Sequence, residues 1–266
     1  MKIFAVLLIL WGFFSLPSSA CDIDLKGDMV QGGLIIGRVT NGEVVNYRER
    51  AVRVSPEGVF LIGFGRDTPK LVSLRVGKKK CRLAIASRTY KISRIDGLPS
   101  RMVTPVKPSD LRQIREDNDA INLVRRIDTP STDFTYGFQW PIKGRISGVF
   151  GSQRILNGKP RRPHNGIDIA APSGTPIYAP APGRVALTHR GMFFSGKTIV
   201  IDHGHGLTSI YVHLSEITVR KGDRIKAGKK IGTVGMTGRA TGPHLHWGVT
   251  WFQTHLDPEL LVGPMH

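Results

Sequence analysis

His164-Asn165-Gly166-Ile167-Asp168-Ile169-Ala170 opens the stretch that decides the fold, and Gly242-Pro243-His244-Leu245-His246-Trp247 closes it. Between them lies Ile210-Tyr211-Val212-His213-Leu214, an apolar run carrying one more histidine. In each, polar side chains alternate with large apolar ones, the pattern of a strand with one buried face. Pro163 before the first motif and Gly166 inside it oppose a helix there. In an extended chain His164, Gly166 and Asp168 share a face, with Ile167 and Ile169 on the other. The same count groups His244, His246 and Gly248 against Leu245, Trp247 and Val249, and it places Tyr211 beside His213.

Neutral imidazole with carboxylate is the ordinary donor set of a catalytic zinc, which takes three protein ligands and keeps a fourth position open. Five residues qualify by face: His164, Asp168, His213, His244 and His246. Three ligands leave two imidazoles over. The helical H-E-x-x-H motif, whose glutamate serves other zinc proteases as base, is absent. Between His164 and Thr250 the single glutamate is Glu216, and Asp202 and Asp223 fall at turns. If a protein base is needed, it is expected to be one of the spare histidines. The rival pair His203-Gly204-His205 reads as a hairpin turn with exposed side chains, and His189 has no supporting neighbours.

The remaining text reads as mainly β. Lys2 followed by the apolar run Ile3 to Leu16 and by Ser18-Ser19-Ala20 predicts a signal peptide over residues 1–20, cleaved after Ala20. That run is short of the roughly 20 apolar residues of a membrane span. Export predicts a periplasmic location and one disulfide between the two cysteines, Cys21 and Cys81. The alternative is a lipid anchor on Cys21. Residues 21–97 read as short strands with turns at Thr40-Asn41-Gly42-Glu43 and Ser55-Pro56-Glu57-Gly58, a small β-sandwich. Residues 98–137 form a linker with one helix, from about Ser109 to Ile127, whose Leu111, Ile114, Ile121, Val124 and Ile127 make a packing stripe. Residues 138–266 return to strands. A formal charge of +18 would suggest nucleic acid in an intracellular chain; an exported one is better matched to an anionic polymer such as peptidoglycan. Arg154, Asn157, Arg161 and Arg162 precede the first motif and, with Tyr211, are candidates to line a substrate groove.

The motifs His164-x-x-x-Asp168, Tyr211-Val212-His213-Leu214-Ser215 and Gly242-Pro243-His244-Leu245-His246-Trp247 resemble those of the M23 (lysostaphin/LytM-type) zinc metallopeptidases. Gly166 to Pro176 and Gly235-Met236-Thr237-Gly238-Arg239 agree, so the resemblance covers roughly Phe138 to Leu261. It implies an antiparallel β domain with a groove. It implies one Zn2+ held by His164, Asp168 and His246, and His213 and His244 as the catalytic pair. It further implies cleavage of peptidoglycan stems or cross-links, with cross-link endopeptidase favoured because no carboxylate clamp is evident in the sequence. Some family members lack the ligands and only activate amidases; this chain keeps every one. Others carry a segment that occludes the metal, so inhibition by the N-terminal half is a further expectation. A polymer-binding protein using its charge alone would leave the histidine cluster unexplained.

Overall fold

The computed structural model describes residues 23–40 and 42–265. The expected signal peptide (residues 1–20) and Cys21 lie outside the described residues. Cys81 is buried and disulfide-bonded.

One antiparallel sheet carries the three motifs. Its order is Arg224–Ile225, Gly183–Met192, Gly196–Gly204, Leu207–Leu214, His244–Trp251, Ile167–Ala170, Arg145–Gly148, with Thr254–Leu256 also on His244–Trp251. Asp168 lies opposite His246, and Ile167 opposite Trp247. Opposed residues share a face, so the first pair sits on one side and the second in the core. Ile167, Ile169, Leu245, Trp247 and Val249 are all fully buried there. The strand reading therefore holds where it decides the site.

The first part of the chain alternates between two sheets. Asp24–Gly27, Leu34–Arg38 and Val59–Gly63 form one; Val45–Tyr47, Arg50–Val52, Leu71–Val76 and Lys79–Ala84 form the other. The turns expected around Thr40 and Ser55 carry the chain from one sheet to the other. These sheets are not a free-standing unit. Their buried residues belong to the same apolar cluster as the motif strands. Tyr47 packs on Trp251 at 5.8 Å between ring centroids. Ile92–Ile95 pairs in parallel with Gln153–Leu156, so main-chain bonds cross the boundary expected at residue 97.

The expected helix spans Pro108–Arg125, with proline at its first turn. The apolar stripe anchors it only in part: Val124 is buried and Ile114 and Ile121 are half-buried, but Leu111 and Ile127 are exposed, whereas Asp110 and Asp117 are buried. Asp110 takes both arms of Arg101 at 2.6 Å, and Asp117 Oδ2 accepts the Phe193 amide at 2.6 Å. Asp117 thus fixes the helix against the end of the Gly183–Met192 strand, and Asp110 fixes it to Arg101 just before it in the chain. A short helix, Ser100–Val103, precedes it. Among the described residues no helix is long and apolar enough to cross a membrane.

Arg88 ties the two parts together. It donates to Asp257 Oδ2 at 2.7 Å and to the Gln31 carbonyl at 3.2 Å, and the Asp257 side chain is 1% exposed. Arg88→Ala leaves that carboxylate buried without its partner, which costs about 2–3 kcal/mol. With one continuous core, thermal unfolding of wild type is expected as a single transition, shifted down in the variant. Two resolved transitions would contradict the shared core.

Candidate metal centre and active site

Three donor atoms converge on one point. Asp168 Oδ1 lies 2.8 Å from His246 Nδ1 and 3.1 Å from His164 Nε2, and the two nitrogens are 2.9 Å apart. All three residues are buried. Donors bound at 2.0–2.2 Å to one tetrahedral ion sit about 3.3 Å from each other, so the cluster needs only slight opening to hold zinc. His164 Nδ1 lies 3.0 Å from the Val149 carbonyl. With Nδ1–H donating there, the Nε2 lone pair faces the cluster, as in a metal-bound histidine whose other nitrogen is held by a carbonyl. Burial raises the Asp168 carboxyl, but hydrogen bonds from His164 and His246 and their charge outweigh it and hold it well below the usual range. Arg154 Nη2 donates to the other oxygen, Oδ2, at 2.7 Å.

Two glycines admit this geometry. Gly148 lies opposite Asp168, and a Cβ there would press on Asp168 Oδ2. Gly166 faces the ring of His246, with His246 Nε2 2.9 Å from where a Cβ would stand. The room that Gly166 leaves is taken by the ligand ring itself.

His213 and His244 stand beside the donors, with ring centroids 4.8 Å apart; His213 is 6.4 Å from His246. Alternation alone does not bring His213 there. Val212 lies opposite His246 and Tyr211 opposite Trp247. A regular strand would therefore send His213 to the core side with Tyr211. His213 instead has φ of 65°, a left-handed backbone that costs about 1–2 kcal/mol in a non-glycine residue, and this turns its ring toward His244. Its amide bonds to the Ser195 carbonyl at 2.8 Å, and its Nδ1 lies 2.8 Å from the Thr237 carbonyl. Burial, then repulsion from His244 and His246, pushes His213 down to about 3. It is a neutral ring with Nε2 free to accept a proton. His244 Nδ1 is likewise committed to the Gly242 carbonyl at 2.8 Å, leaving its Nε2 3.8 Å from Asp168 Oδ1.

The site opens into a cleft of about 1310 Å³ walled by every part of the chain. His164, His213 and His246 lie in it, with Arg154, Arg161, Arg162 and Arg239 along one side. Tyr47 and Arg66 come from the N-terminal sheets, and Ile121 and Arg125 from the long helix. The N-terminal half is thus a wall of the cleft.

Two groove candidates are corrected. Tyr211 is fully buried on the core face, its Oη 2.7 Å from Ser209 Oγ. Asn157 is a left-handed turn residue, φ 47°, whose side-chain amide brackets Leu98 through bonds of 2.7 and 3.1 Å. Neither lines the cleft. The His203-Gly204-His205 turn exists, but both histidines are buried, because residues 129–134 fold over it. His205 N–H bonds to the Thr129 carbonyl at 2.9 Å, and Phe134 packs on the His205 ring at 5.1 Å. His203 is held by the Pro182 carbonyl at 2.6 Å and Ser209 Oγ at 2.8 Å, and burial pushes it down to about 4. Sequence reasoning missed Gly148 and gave Arg239 no role at the site. The first was detectable only from the strand register, the second only from the cleft.

Comparison with known proteins agrees with this geometry. A model of peptidase family M23 matches residues 162–258. The chain is 45% identical over 112 residues to the peptidoglycan DD-endopeptidase ShyA of Vibrio cholerae, covering 41% of this chain and 26% of that one. It is 42% identical over 103 residues to the DD-carboxypeptidase/endopeptidase Mpg of Neisseria meningitidis, covering 39% and 24%. It spans about a quarter of the length of these curated relatives. A crystal structure of an M23-type chain from Pseudomonas aeruginosa matches 90% of this chain and 96% of its own length, at 31% identity and a TM-score of 0.70. Fold, groove and donor set together define the zinc metallopeptidase class. The chain belongs to peptidase family M23.

Gly148→Ala is expected to displace Asp168 and weaken zinc binding at least tenfold in a chelator competition, with the fold retained by circular dichroism; unchanged affinity would contradict the register argument. His203 gives a pH prediction. Its pKa is about 4 in the folded chain against 6.5 when exposed. Between those values the unfolded chain binds the extra proton, so stability is lost as pH falls from about 6.5 toward 4. His203→Gln should remove a loss on the order of 3 kcal/mol. Melting profiles with the same pH slope from 7 to 4.5 in variant and wild type would refute this.

Proposed function

We propose that this chain is an exported zinc metallopeptidase hydrolysing amide bonds in the peptide stems or cross-links of peptidoglycan. The observation that carries this reading is the pairing of a buried His164/Asp168/His246 donor cluster with two more imidazoles, His213 and His244, in one cleft. The names of the relatives ShyA and Mpg point to the same polymer. Export rests on the basic and apolar run at Lys2 to Leu16.

In this reading His164, Asp168 and His246 hold the ion. Bound zinc supplies an acidified water and a Lewis acid for the scissile carbonyl. His213, kept neutral by burial and oriented by Thr237, accepts a proton at Nε2. His213 then returns that proton to the leaving amine, while His244, oriented by Gly242, presents its own Nε2 to the same space, where in its protonated form it would stabilise the developing oxyanion. Arg154 holds Asp168 from behind and keeps one carboxylate oxygen turned toward the cluster. A regulator that only binds an amidase would need neither the donors nor the imidazole pair.

Purified mature protein is expected to release muropeptides from peptidoglycan, to stop with a chelator and to recover with zinc. His246→Ala should lose both zinc and activity. His213→Ala should keep one zinc per chain by metal analysis while turnover falls about 10²–10⁴-fold. Activity surviving chelation would overturn the mechanism, and zinc lost from His213→Ala would overturn the division of roles.

A further inference from the structure

The cleft is unusually cationic. Seven of its lining residues are arginines and one, Asp67, is an aspartate, with no glutamate or lysine. That aspartate is already engaged by Arg66 at 2.6 Å, and Asp168 of the donor cluster by Arg154 at 2.7 Å. Like charges gathered in a partly desolvated site repel, and such a cluster is ordinarily matched by an anion.

Arg161 and Arg239 form the unmatched end of it. Arg161 directly follows Lys159–Pro160, the antiparallel partner of the Gln153–Leu156 strand, its amide bonded to the Arg154 carbonyl at 2.9 Å. Arg239 follows the left-handed Gly238, and its guanidinium stacks on Phe194 at 4.3 Å from the ring centre. Burial, then repulsion from Arg154 and Arg161, lowers Arg239 to about 10. It remains charged at neutral pH. No carboxylate meets either side chain among the described residues. Their hydrogen bonds go to neutral oxygens at the end of one short helix. Arg239 Nη1 donates to the Met102 carbonyl at 3.2 Å, and Arg161 Nη2 to the Val103 carbonyl at 2.8 Å and Thr104 Oγ1 at 3.0 Å. The buried Nε of Arg161 has no partner. Two guanidiniums therefore converge on successive peptide oxygens where a helix ends, where carbonyls lack partners and carry partial negative charge. Each guanidinium has five N–H donors, most of them here unspent.

We propose that Arg161 and Arg239 are a carboxylate-binding subsite next to the metal centre, and that the preferred substrates are peptides with a free carboxylate close to the scissile amide. The Met102 and Val103 carbonyls occupy it as a neutral peptide stand-in, which a carboxylate displaces because charge-assisted bonds to guanidinium are roughly twice as strong. Arg154, whose carbonyl takes the Arg161 amide, gives its own guanidinium to Asp168, so subsite and metal ligand are held from adjacent backbone. The sequence offers no sign of such a clamp, because Arg161 and Arg239 are far apart in it. The identity of the ligand rests on the amide-hydrolase reading above; the existence of the anion site does not.

The test uses the full mature protein and two matched probes, acetyl-D-alanyl-D-alanine and its C-terminal amide. Calorimetric binding to metal-free protein, which needs no turnover, is expected to favour the carboxylate form at least about tenfold. Arg161→Gln and Arg239→Gln should each lower carboxylate binding to near that of the amide. Arg239→Lys, which keeps the charge but not the fork, should fall between, and melting curves confirm that the variants fold. In kinetics, cross-linked muropeptides with free carboxylates should be cut with a correspondingly higher kcat/KM than amidated ones. Equal binding of the two probes to wild type overturns the subsite, as does a preference that survives in both glutamine variants. Carboxylate-selective binding without hydrolysis of any muropeptide would support the subsite and sink the proposed function instead.

Discussion

Asp168 sits at the centre of the molecule's electrostatics. One oxygen is within 3.1 Å of two imidazole nitrogens and the other meets Arg154. A buried carboxylate is costly to hold unless its lone pairs are satisfied. The sheet exists in a form that satisfies them. Antiparallel register sets Asp168 opposite His246, and Gly148 on the other flank leaves space for the carboxylate to turn. Sliding either strand by one residue would put Ile167 or Trp247 into the site and the ligands into the core. The apolar face that fixes this register is thus as necessary to the centre as the ligands are.

The rest of the site depends on departures from regular structure. His213 reaches His244 only through a left-handed residue at a strand end, and that strain is held by bonds to the carbonyls of Ser195 and Thr237. Carbonyl oxygens set the Nδ1 position of His164, His213 and His244 alike. In each case backbone decides which nitrogen faces the cleft. The cleft itself exists because the N-terminal sheets and the long helix are bonded onto the catalytic sheet, the one through Arg88 and Asp257, the other through Asp117.

Much of this was legible in the sequence, and the reasons are physical. Period-two alternation exposed the motif strands, because one face of each is buried without exception. The donor set was legible because imidazole and carboxylate are rare in apolar ribbons. Alternation failed at Tyr211 and His213, since one positive φ reverses a face without leaving a glycine as its mark. It failed again at His203 and His205, where a distant segment, residues 129–134, covers a turn that local composition reads as exposed. The helix was found, but its docking was only half legible, because two buried aspartates anchor it beside Val124 of the apolar stripe. The meeting of Arg161 with Arg239 is a property of the folded chain alone.

The whole site turns on one centre built from His164 Nε2, Asp168 Oδ1 and His246 Nδ1. Diffraction data collected at the zinc absorption edge from crystals of zinc-loaded protein test it most directly. A single strong anomalous peak about 2.0–2.2 Å from those three atoms, with His213 and His244 outside bonding distance, is the result expected. A peak bonded to His213 or His244, or one at His203 and His205, would contradict it.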